Sequence, residues 1–344
     1  MRAHITLQAI ARKSGVSLTT VSLVLRDKPG INEATRKRVL DAASALGYRR
    51  RVGFVRAPAP LLRQVGVVLK ARAVDAHYTN QFYAPVLAGV EAACRKQQIN
   101  MLYATVMVDI DNHPQDVPRM LLEGELDGVL LIGAFVDNTI EQLIQRRAMP
   151  VVLVDAYAPG AAYDAAVTDN LHGAYEAVTY LIRQGHRHIG MVGSLPDAFP
   201  SIEERRRGYV QALLDNGISE HYFADSHLST EEATEATAAL LRRYPHVTAL
   251  FCGNDITAVA AMQAARAAGR RLPEDLSIIG FDNIDLAEHL VPALTTMHVD
   301  KAGLGRMAVQ LLANRAEFPD SGCVTAALRP TLIERQSVCA IAPV

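Results

Sequence analysis

The N-terminal fold is decided by residues 5–50, whose sequence is ITLQAIARKSGVSLTTVSLVLRDKPGINEATRKRVLDAASALGYRR. Apolar residues recur in it at helical spacing and predict three short helices, over residues 7–14, 18–25 and about 33–46. Thr6 and Ser17 are typical N-caps of the first two helices, while Gly15 and Gly47 are expected to end the first and the third. Two helices joined by a short glycine-containing turn form a helix-turn-helix.

One apolar stripe on each predicted helix should face a small shared core. The side chains expected there are Leu7, Ile10 and Ala11 in the first helix, Val21, Val24 and Leu25 in the second, and Val39, Leu40, Ala43 and Leu46 in the third. The opposite, wetter side of the third helix carries Arg36, Lys37 and Arg38. This head is expected to be all-α.

Charge is distributed unevenly along the chain. Residues 1–63 hold thirteen basic and three acidic side chains, which makes this segment +10. The whole chain of 344 residues is −1, so the remainder is −11. A basic head on an acidic body indicates that the head binds a polyanion such as DNA. The alternative is a three-helix bundle whose basic face is merely solvated.

Residues 5–50 resemble the head of the LacI/GalR family of bacterial transcription regulators, in the motifs GVS, TVS, TR-RVL-AA and LGY. The resemblance implies that Leu18, Thr19 and Leu23 occupy the base-reading positions of the second helix. It also implies that Ser17, Thr20 and Ser22 contact or approach phosphates. The predicted DNA-binding set includes Thr6 as well.

Leu23 departs from this family, which often has arginine, histidine or another polar residue there. Together with Leu18 it makes the reading face unusually apolar. Such a face can contact thymine methyl groups but cannot form a bidentate contact with guanine. We therefore predict A·T-rich half-site positions under these two leucines.

The linker, residues 51–63, also departs from the family, which usually has a hinge helix whose leucine wedges into the minor groove. Ala57 occupies the wedge position, and Pro58 and Pro60 disfavour a helix. We predict an extended, partly polyproline-like arm that contacts phosphates or a narrow minor groove. The arginines assigned to this contact are Arg49, Arg50, Arg51 and Arg56. The alternative is a plain solvated linker.

From residue 64 onward, short apolar runs alternate with amphipathic segments. Strands are predicted over 65–69, 100–106, 128–134, 151–155, 188–193, 248–252 and 276–281. Helices are predicted over 85–97, 138–147, 170–184, 202–216, 230–244 and 256–268. This alternation is typical of doubly wound α/β folds with parallel sheets. The length favours two similar lobes over one sheet.

Polar residues follow several of these strands, where doubly wound sheets bind their ligands. They are Asp155, the pair Asn254-Asp255 and the pair Asp282-Asn283. Each could instead cap a helix or form a turn. Three such positions in one chain favour a cleft that collects strand ends from both lobes.

The body also resembles the effector domain of the LacI/GalR family, itself similar to periplasmic sugar-binding proteins. The matching strings include LDGVLLIG, PVVLVD, ALFCGNDITAVAAM and LPEDLSIIGFDNIDLAEHLVPALTTMHVD. The implied domains are residues 1–50 for DNA binding, 51–63 as linker and 64–344 for effector binding and dimerisation. Within the last, lobe 1 is expected over about 64–165 and 294–326, and lobe 2 over about 166–293 and 327–344.

The resemblance also implies which residues hold the effector. They are Tyr83 as a stacking face, Asp155 and Asn254 as polar contacts, Arg205 as a fork donor, and Asp282 as an acceptor for ligand hydroxyls. Carboxylates and a flat aromatic ring suit a sugar, although an arginine fork would equally suit a carboxylate or a phosphate.

The sequence gives little support for an enzyme or a metalloprotein, because the chain lacks the common phosphate-loop, dinucleotide, nucleophile-elbow and HExxH motifs. His186 and His188 are interpreted as structural or exposed, since no further ligand has suitable spacing, and no metal or cofactor is expected. The four scattered cysteines are expected to be reduced. No apolar run reaches the roughly 18 residues of a membrane span, and a cytoplasmic bacterial protein, associated with the nucleoid when bound to DNA, is expected.

These expectations combine into a ligand-responsive, sequence-specific transcriptional repressor without enzymatic activity. A homodimer, with a tetramer as a further possibility, would bind a palindromic operator in double-stranded DNA. Two rival classes are a binding protein for transport and a sugar-processing enzyme that carries a regulatory head. The missing signal peptide and the basic head oppose the first, and the absence of a catalytic constellation opposes the second.

Overall fold

The computed structural model describes residues 6–25, 31–46, 61–72, 76–147 and 149–341. The chain divides into two compact units, residues 1–60 and 61–344. The first is the helical head and the second is the α/β body. Among the described residues, every helix is too short or too polar to cross a bilayer.

The head consists of three helices, α1 (Leu7–Ser14), α2 (Leu18–Leu25) and α3 (Glu33–Ala45). Thr6 caps α1, because its hydroxyl accepts a hydrogen bond from the Ala9 amide at 3.3 Å. Gly15 ends this helix in the left-handed region, with φ of 65°, where a side chain would be strained. Helices α1 and α2 therefore begin directly after their predicted capping residues, Thr6 and Ser17.

The core of the head differs from the predicted stripes at two leucines. Ile10, Val21 and Val39 are buried as expected. Leu7 and Leu40 are instead exposed by 36% and 47%, and the small Ala42 is buried on α3 in place of Leu40. Helices this short meet along narrow contacts, so a small rotation moves a flanking leucine from the core to the surface.

The first lobe of the body is built on a six-stranded sheet with the order β11-β5-β4-β3-β1-β2. Its strands are β1 (Gln64–Ala71), β2 (Asn100–Met107), β3 (Gly128–Ile132), β4 (Val151–Val154), β5 (Asp164–Thr168) and β11 (Thr325–Leu328). The helices of this part are α4 (Ala76–Gln97), α5 (Arg119–Glu123), α6 (Asn138–Arg147) and α12 (Lys301–Glu317). Every pairing in this sheet is parallel.

The second lobe repeats this plan with the strand order β12-β10-β9-β8-β6-β7. Its strands are β6 (Ile189–Val192), β7 (Tyr222–Ala224), β8 (Ala249–Cys252), β9 (Ser277–Asp282), β10 (Thr295–His298) and β12 (Thr331–Ile333). Its helices are α7 (Asn170–Arg183), α8 (Pro200–Asp215), α9 (Thr230–Arg243), α10 (Asp255–Ala267) and α11 (Leu286–His289). Only the edge strand β12 pairs antiparallel to its neighbour within the described sheet.

The chain passes between the two sheets three times, a few residues later than expected near 165, 293 and 326. Residues 164–168 still belong to the first sheet, and β10, which was expected in lobe 1, pairs in parallel with β9 of the second sheet. The last passage lies between β11 and β12, after Leu328. The backbone pairing of these short strands decides the boundary, and their side-chain pattern is too brief to reveal it.

Helices α4 and α12 pack unusually closely in the first lobe. A Cβ atom on Gly305 would lie 2.1 Å from the Val86 carbonyl oxygen, and one on Gly89 would lie 2.1 Å from the Ala302 carbonyl oxygen. Only glycine allows two helix backbones to approach this far. Helix α4 itself starts nine residues before the predicted start at Pro85, which lies inside it.

The four cysteines are free thiols, as expected from their scattered positions. Cys94 and Cys252 are buried, Cys339 is half-buried and Cys323 is exposed.

Candidate functional site

Helix α2 presents one face to solvent and the other to the core of the head. Leu18 and Leu23 are exposed by 46% and 36%, and Thr19 is exposed as well. Val21 and Val24 of the same helix are buried. Thr19 and Leu23 are four residues apart and therefore share a side of the helix, and all three predicted base-reading residues are accessible to solvent.

The predicted phosphate contacts surround the start of this helix. The Ser17 hydroxyl accepts a hydrogen bond from the Thr20 amide at 3.1 Å and lies 2.8 Å from the Thr20 hydroxyl. Ser22 is half-buried and Thr6 is exposed. The predicted arm with Arg49, Arg50, Arg51 and Arg56, and the predicted C-cap Gly47, lie outside the described residues.

A cleft opens at the carboxyl ends of strands from both sheets, with a volume of about 1130 Å³ counted to its open mouth. All five predicted effector residues line it: Tyr83, Asp155, Arg205, Asn254 and Asp282. Asp155, Asn254 and Asp282 lie at or after the ends of strands in the two sheets, whereas Tyr83 and Arg205 lie on helices α4 and α8.

Arg205 lies at the floor of this cleft on α8 and is 5% exposed. Its Nε donates to Asn170 Oδ1 at 2.9 Å, and its Nη1 donates to the Gly253 carbonyl at 2.6 Å. The guanidinium carbon lies 3.9 Å from the centroid of the Phe281 ring. These contacts fix the guanidinium and leave its Nη2 edge directed at Asp282.

Asp282, the last residue of β9, is a buried carboxyl with unused acceptor capacity. Arg205 Nη2 lies 3.3 Å from its Oδ1, an ion-pair distance, yet this oxygen accepts no hydrogen bond. Burial raises the pKa of Asp282 to about 6, although Arg205 and Lys301 favour the charged form. The Asp282 side chain is 10% exposed and lines the cleft, so a ligand hydroxyl could donate to its carboxylate.

The backbone around Asp282 is held in a strained conformation. Asp282 and Asn283 have φ of 106° and 50°, a region that is costly for residues other than glycine. Lys301 Nζ donates to the carbonyl oxygens of both, at 2.5 and 3.1 Å. Lys301 begins α12, just after the chain has returned to the first lobe, so this contact ties the acceptor residue to a lobe crossing.

Asp155 and Tyr83 form the matching polar pair of the first lobe. The Tyr83 hydroxyl donates to Asp155 Oδ2 at 2.8 Å. Burial raises the pKa of Asp155, and Lys70 and the Tyr83 hydrogen bond offset part of this rise. Asp155 also has a positive φ of 45°. The Tyr83 side chain is 5% exposed, and its predicted role as a stacking face for the ligand remains a prediction.

Asn254 lines the cleft and also caps α10, the alternative that its position after a strand left open. Its Oδ1 accepts from the Thr257 amide at 2.9 Å, and the Thr257 hydroxyl interacts with the Asn254 backbone in return. The neighbouring Asp255 is buried and accepts from the Ile284 amide at 2.8 Å and the Thr296 hydroxyl at 2.5 Å. Burial raises the pKa of Asp255 to about 7.

Several cleft residues were not predicted. Lys70, near the end of β1, donates to Asn112 Oδ1 at 2.9 Å and lies 5.2 Å from the Phe199 ring centroid. Phe199 packs edge-to-face against Phe135 and Tyr157. The sequence contained a signal for Lys70, because it is a lysine in an otherwise apolar strand. The aromatic cluster around Phe199 had no such signal, because it depends on how the loops fold together.

His186 is structural, as interpreted from the sequence. It is buried, with its two ring nitrogens 3.0 Å from the Thr248 hydroxyl and 3.2 Å from the Cys339 carbonyl oxygen. His188 was not interpreted as a metal ligand, because no second ligand had suitable spacing in the sequence. The fold supplies partners from other loops, since His188, Glu220 and His246 converge.

The comparison with known proteins agrees with both units. Residues 6–51 match the profile of bacterial regulatory proteins of the lacI family, and residues 178–338 match a periplasmic binding protein-like domain. The transcriptional repressor PurR of Photobacterium profundum is 32% identical over 97% of this chain and 98% of its own length. The ribose operon repressor of Haemophilus influenzae is also 32% identical, with the same coverage.

Among solved structures, a complex of the transcriptional regulator CelR with cellobiose is similar. It has a TM-score of 0.69 and 28% identity over 97% of this chain and 100% of CelR. Sequence similarity over nearly the whole length of curated repressors, and the same order of head and body, support one conclusion. The chain belongs to the LacI family of bacterial transcription regulators.

Proposed function

We propose that this protein is a sequence-specific transcriptional repressor whose operator affinity is controlled by a small molecule bound in the cleft. The observation that carries the proposal is the cleft itself, in which Asp282 and Arg205 from one lobe face Asp155 and Tyr83 from the other. A ligand that contacts both pairs would favour one arrangement of the lobes.

A sugar is the ligand class that these groups fit. Buried carboxylates accept hydrogen bonds from hydroxyl groups, and aromatic rings cover the C–H faces of a pyranose or furanose. Two relatives point the same way: one is named for the ribose operon, and the other was solved with cellobiose. The arginine would also accept a carboxylate or phosphate on such a sugar.

On the DNA side, the proposal is a homodimer bound to a palindromic operator. A single helix-turn-helix buries too little surface for tight specific binding, and two heads related by a two-fold axis match two half-sites. DNA as the partner implies activity in the bacterial cytoplasm, at the nucleoid. A tetramer would add a second pair of heads without changing either site.

Control of the operator would follow from linkage. If the ligand binds one lobe arrangement more tightly, it shifts the population of lobe arrangements and so changes the freedom or spacing of the two heads. Lys301 is placed to take part, because it holds the carbonyl oxygens of Asp282 and Asn283 at the return to the first lobe. No chemical step is needed, and the proposal is a binding protein without turnover.

The test uses the purified full-length chain and double-stranded DNA chosen from random sequence by repeated selection. Fluorescence anisotropy should show tight binding to the selected palindrome, and one compound from a sugar panel should shift the dissociation constant at least 5-fold, the usual lower limit of allosteric coupling. Failure to bind any DNA at low salt would overturn the proposal. Conversion of the active compound by the pure protein would favour an enzyme carrying a regulatory head.

A further inference from the structure

A cluster of side chains of types that bind metals lies on the second lobe. It is at the amino-terminal ends of the strands, the end of the sheet opposite the cleft. His188 directly precedes β6, Glu220 lies two residues before β7, and His246 lies in the loop before β8. These three strands are neighbours and parallel, so their first residues meet at one edge. The cleft lies at their other ends.

The three side chains converge on one point. His188 Nδ1 lies 3.6 Å from Glu220 Oε2, and one ligand atom from each residue lies within 4.8 Å of the others. The Tyr222 hydroxyl is their shared neighbour: it is 3.2 Å from His188 Nδ1 and 3.0 Å from His246 Nε2. It also donates to Glu220 Oε2.

We propose that His188, Glu220 and His246 bind a divalent transition metal ion, with Zn²⁺ as the fitting example. Two imidazoles and one carboxylate are one of the ligand sets that hold Zn²⁺ when a fourth position stays open to water. Metal–ligand bonds near 2 Å place the ligand atoms of a tetrahedral site roughly 3.4 Å apart. His188 Nδ1 and Glu220 Oε2, which are 3.6 Å apart, are already close to this spacing.

The remaining pairs can close by small side-chain rotations. The His188 and Glu220 side chains are 46% and 64% exposed, so neither is locked by packing. Tyr222 is 5% exposed, and its ring is held by an aromatic contact with Tyr244 at 4.9 Å between centroids. His246 is exposed as well, so all three ligands can turn toward an ion while the Tyr222 ring stays in place.

The competing state is a hydrogen-bond network without metal. In it the Tyr222 hydroxyl donates its single proton to Glu220 and accepts from both imidazole N–H groups. Metal binding requires the same two nitrogens without protons, so the ion displaces these hydrogen bonds. By joining the starts of three strands, it would also stabilise the second lobe.

The test titrates tag-free, chelator-treated full-length protein with ZnCl2 and counts bound zinc after equilibrium dialysis. The wild type should bind one ion that His188→Ala and His246→Ala each lose, with a rise in Tm that is absent in these variants. His289→Ala is the matched control, because His289 also faces an acidic neighbour, Glu288, at 3.6 Å on the surface, and should keep the ion. Tyr222→Phe should also keep it.

Glu220→Gln keeps the test informative if the histidine variants fail to fold, because this exposed side chain can be replaced without disturbing the core. It should weaken zinc binding at least 10-fold while the circular dichroism spectrum stays unchanged. The proposal is overturned if the wild type takes up no zinc at micromolar concentrations, or if all three ligand variants bind as much as His289→Ala does.

Discussion

Arg205 Nη2 lies 3.3 Å from Asp282 Oδ1, and both side chains are almost fully buried. The arginine is held by three further contacts with Asn170, Gly253 and Phe281, whereas this carboxylate oxygen accepts no hydrogen bond. The pair therefore consists of a fixed cation and a buried carboxylate that lines the cleft. We interpret Arg205 as the group that positions Asp282 for a ligand hydroxyl.

The first prediction concerns this pair. Asp282→Ala should abolish the thermal shift produced by the effector, because a ligand that binds only the folded state raises stability by RT ln(1 + [L]/Kd). Arg205→Ala should do the same and also lower the free energy of unfolding by about 3–5 kcal/mol, since it leaves a buried charge unpaired. Arg207→Ala, exposed on the same helix, should leave the thermal shift intact and change the free energy of unfolding by no more than about 0.5 kcal/mol. An undiminished shift in both cleft variants would refute the site.

The second prediction is a pH dependence of stability. Burial raises the pKa of Asp255 to about 7 and that of Asp282 to about 6, whereas an aspartate in an unfolded chain titrates near 3.9. Between about pH 4 and pH 7 the folded state therefore binds more protons, and the free energy of unfolding falls as the pH rises. Urea denaturation at several pH values should show this fall, with a smaller slope for Asp255→Asn.

His186 would act in the opposite direction, because burial lowers its pKa. Comparison of the wild type with Asp255→Asn cancels this contribution, since both chains retain the histidine. Identical slopes in the two chains would mean that Asp255 does not titrate in this range.

The third prediction tests the close approach of α4 and α12. Gly305→Ala should lower the free energy of unfolding by about 1–3 kcal/mol, the usual range for overpacking, because the new Cβ would lie 2.1 Å from the Val86 carbonyl oxygen. Gly322→Ala is the matched control, since a Cβ there meets nothing within 4 Å. Chemical denaturation of the two variants should separate them clearly. Equal stabilities would show that the helices can move apart at little cost.

Much of the fold could be predicted because most elements have a long or regular pattern. Strands such as β3 and β4 are continuous apolar runs, and helices such as α9 have a clear apolar face. The unpredicted strands β5, β7, β10, β11 and β12 contain three to five residues each, and β5 and β11 mix threonine with alanine. Their pairing is decided by distant neighbours, so the local sequence carries too little information.

The cleft was predictable where a polar residue follows a strand, as Asp155, Asn254 and Asp282 do. Lys70 and Phe199 were missed because their position in the cleft depends on how the loops and the two lobes face each other. The cluster of His188 with His246 was missed for a similar reason. These residues are far apart in the sequence, and only the order of β6 and β8 in the sheet makes them neighbours.

The fourth prediction concerns the arginines of the linker. Replacing Arg49, Arg50, Arg51 and Arg56 with glutamine should weaken binding to all DNA sequences. The slope of log K against log salt should fall by about 0.9 for each phosphate group that the variant no longer neutralises. A variant with four exposed body arginines changed to glutamine (Arg95, Arg119, Arg146 and Arg242) matches the charge change and should leave the slope unaltered. The plain-linker alternative predicts the same slope for both variants.

The fifth prediction concerns the operator. Selection from random DNA should return A·T-rich pairs at the positions under Leu18 and Leu23, because these exposed leucines can contact thymine methyl groups but cannot donate to guanine. Leu23→Arg should shift the preference at its position toward G·C, with about 1–3 kcal/mol of discrimination for a bidentate contact. Thr19 and the capping residue Ser17 are unchanged in this variant, so the docking of α2 should persist. Strict G·C at both positions for the wild-type protein would contradict the apolar reading face.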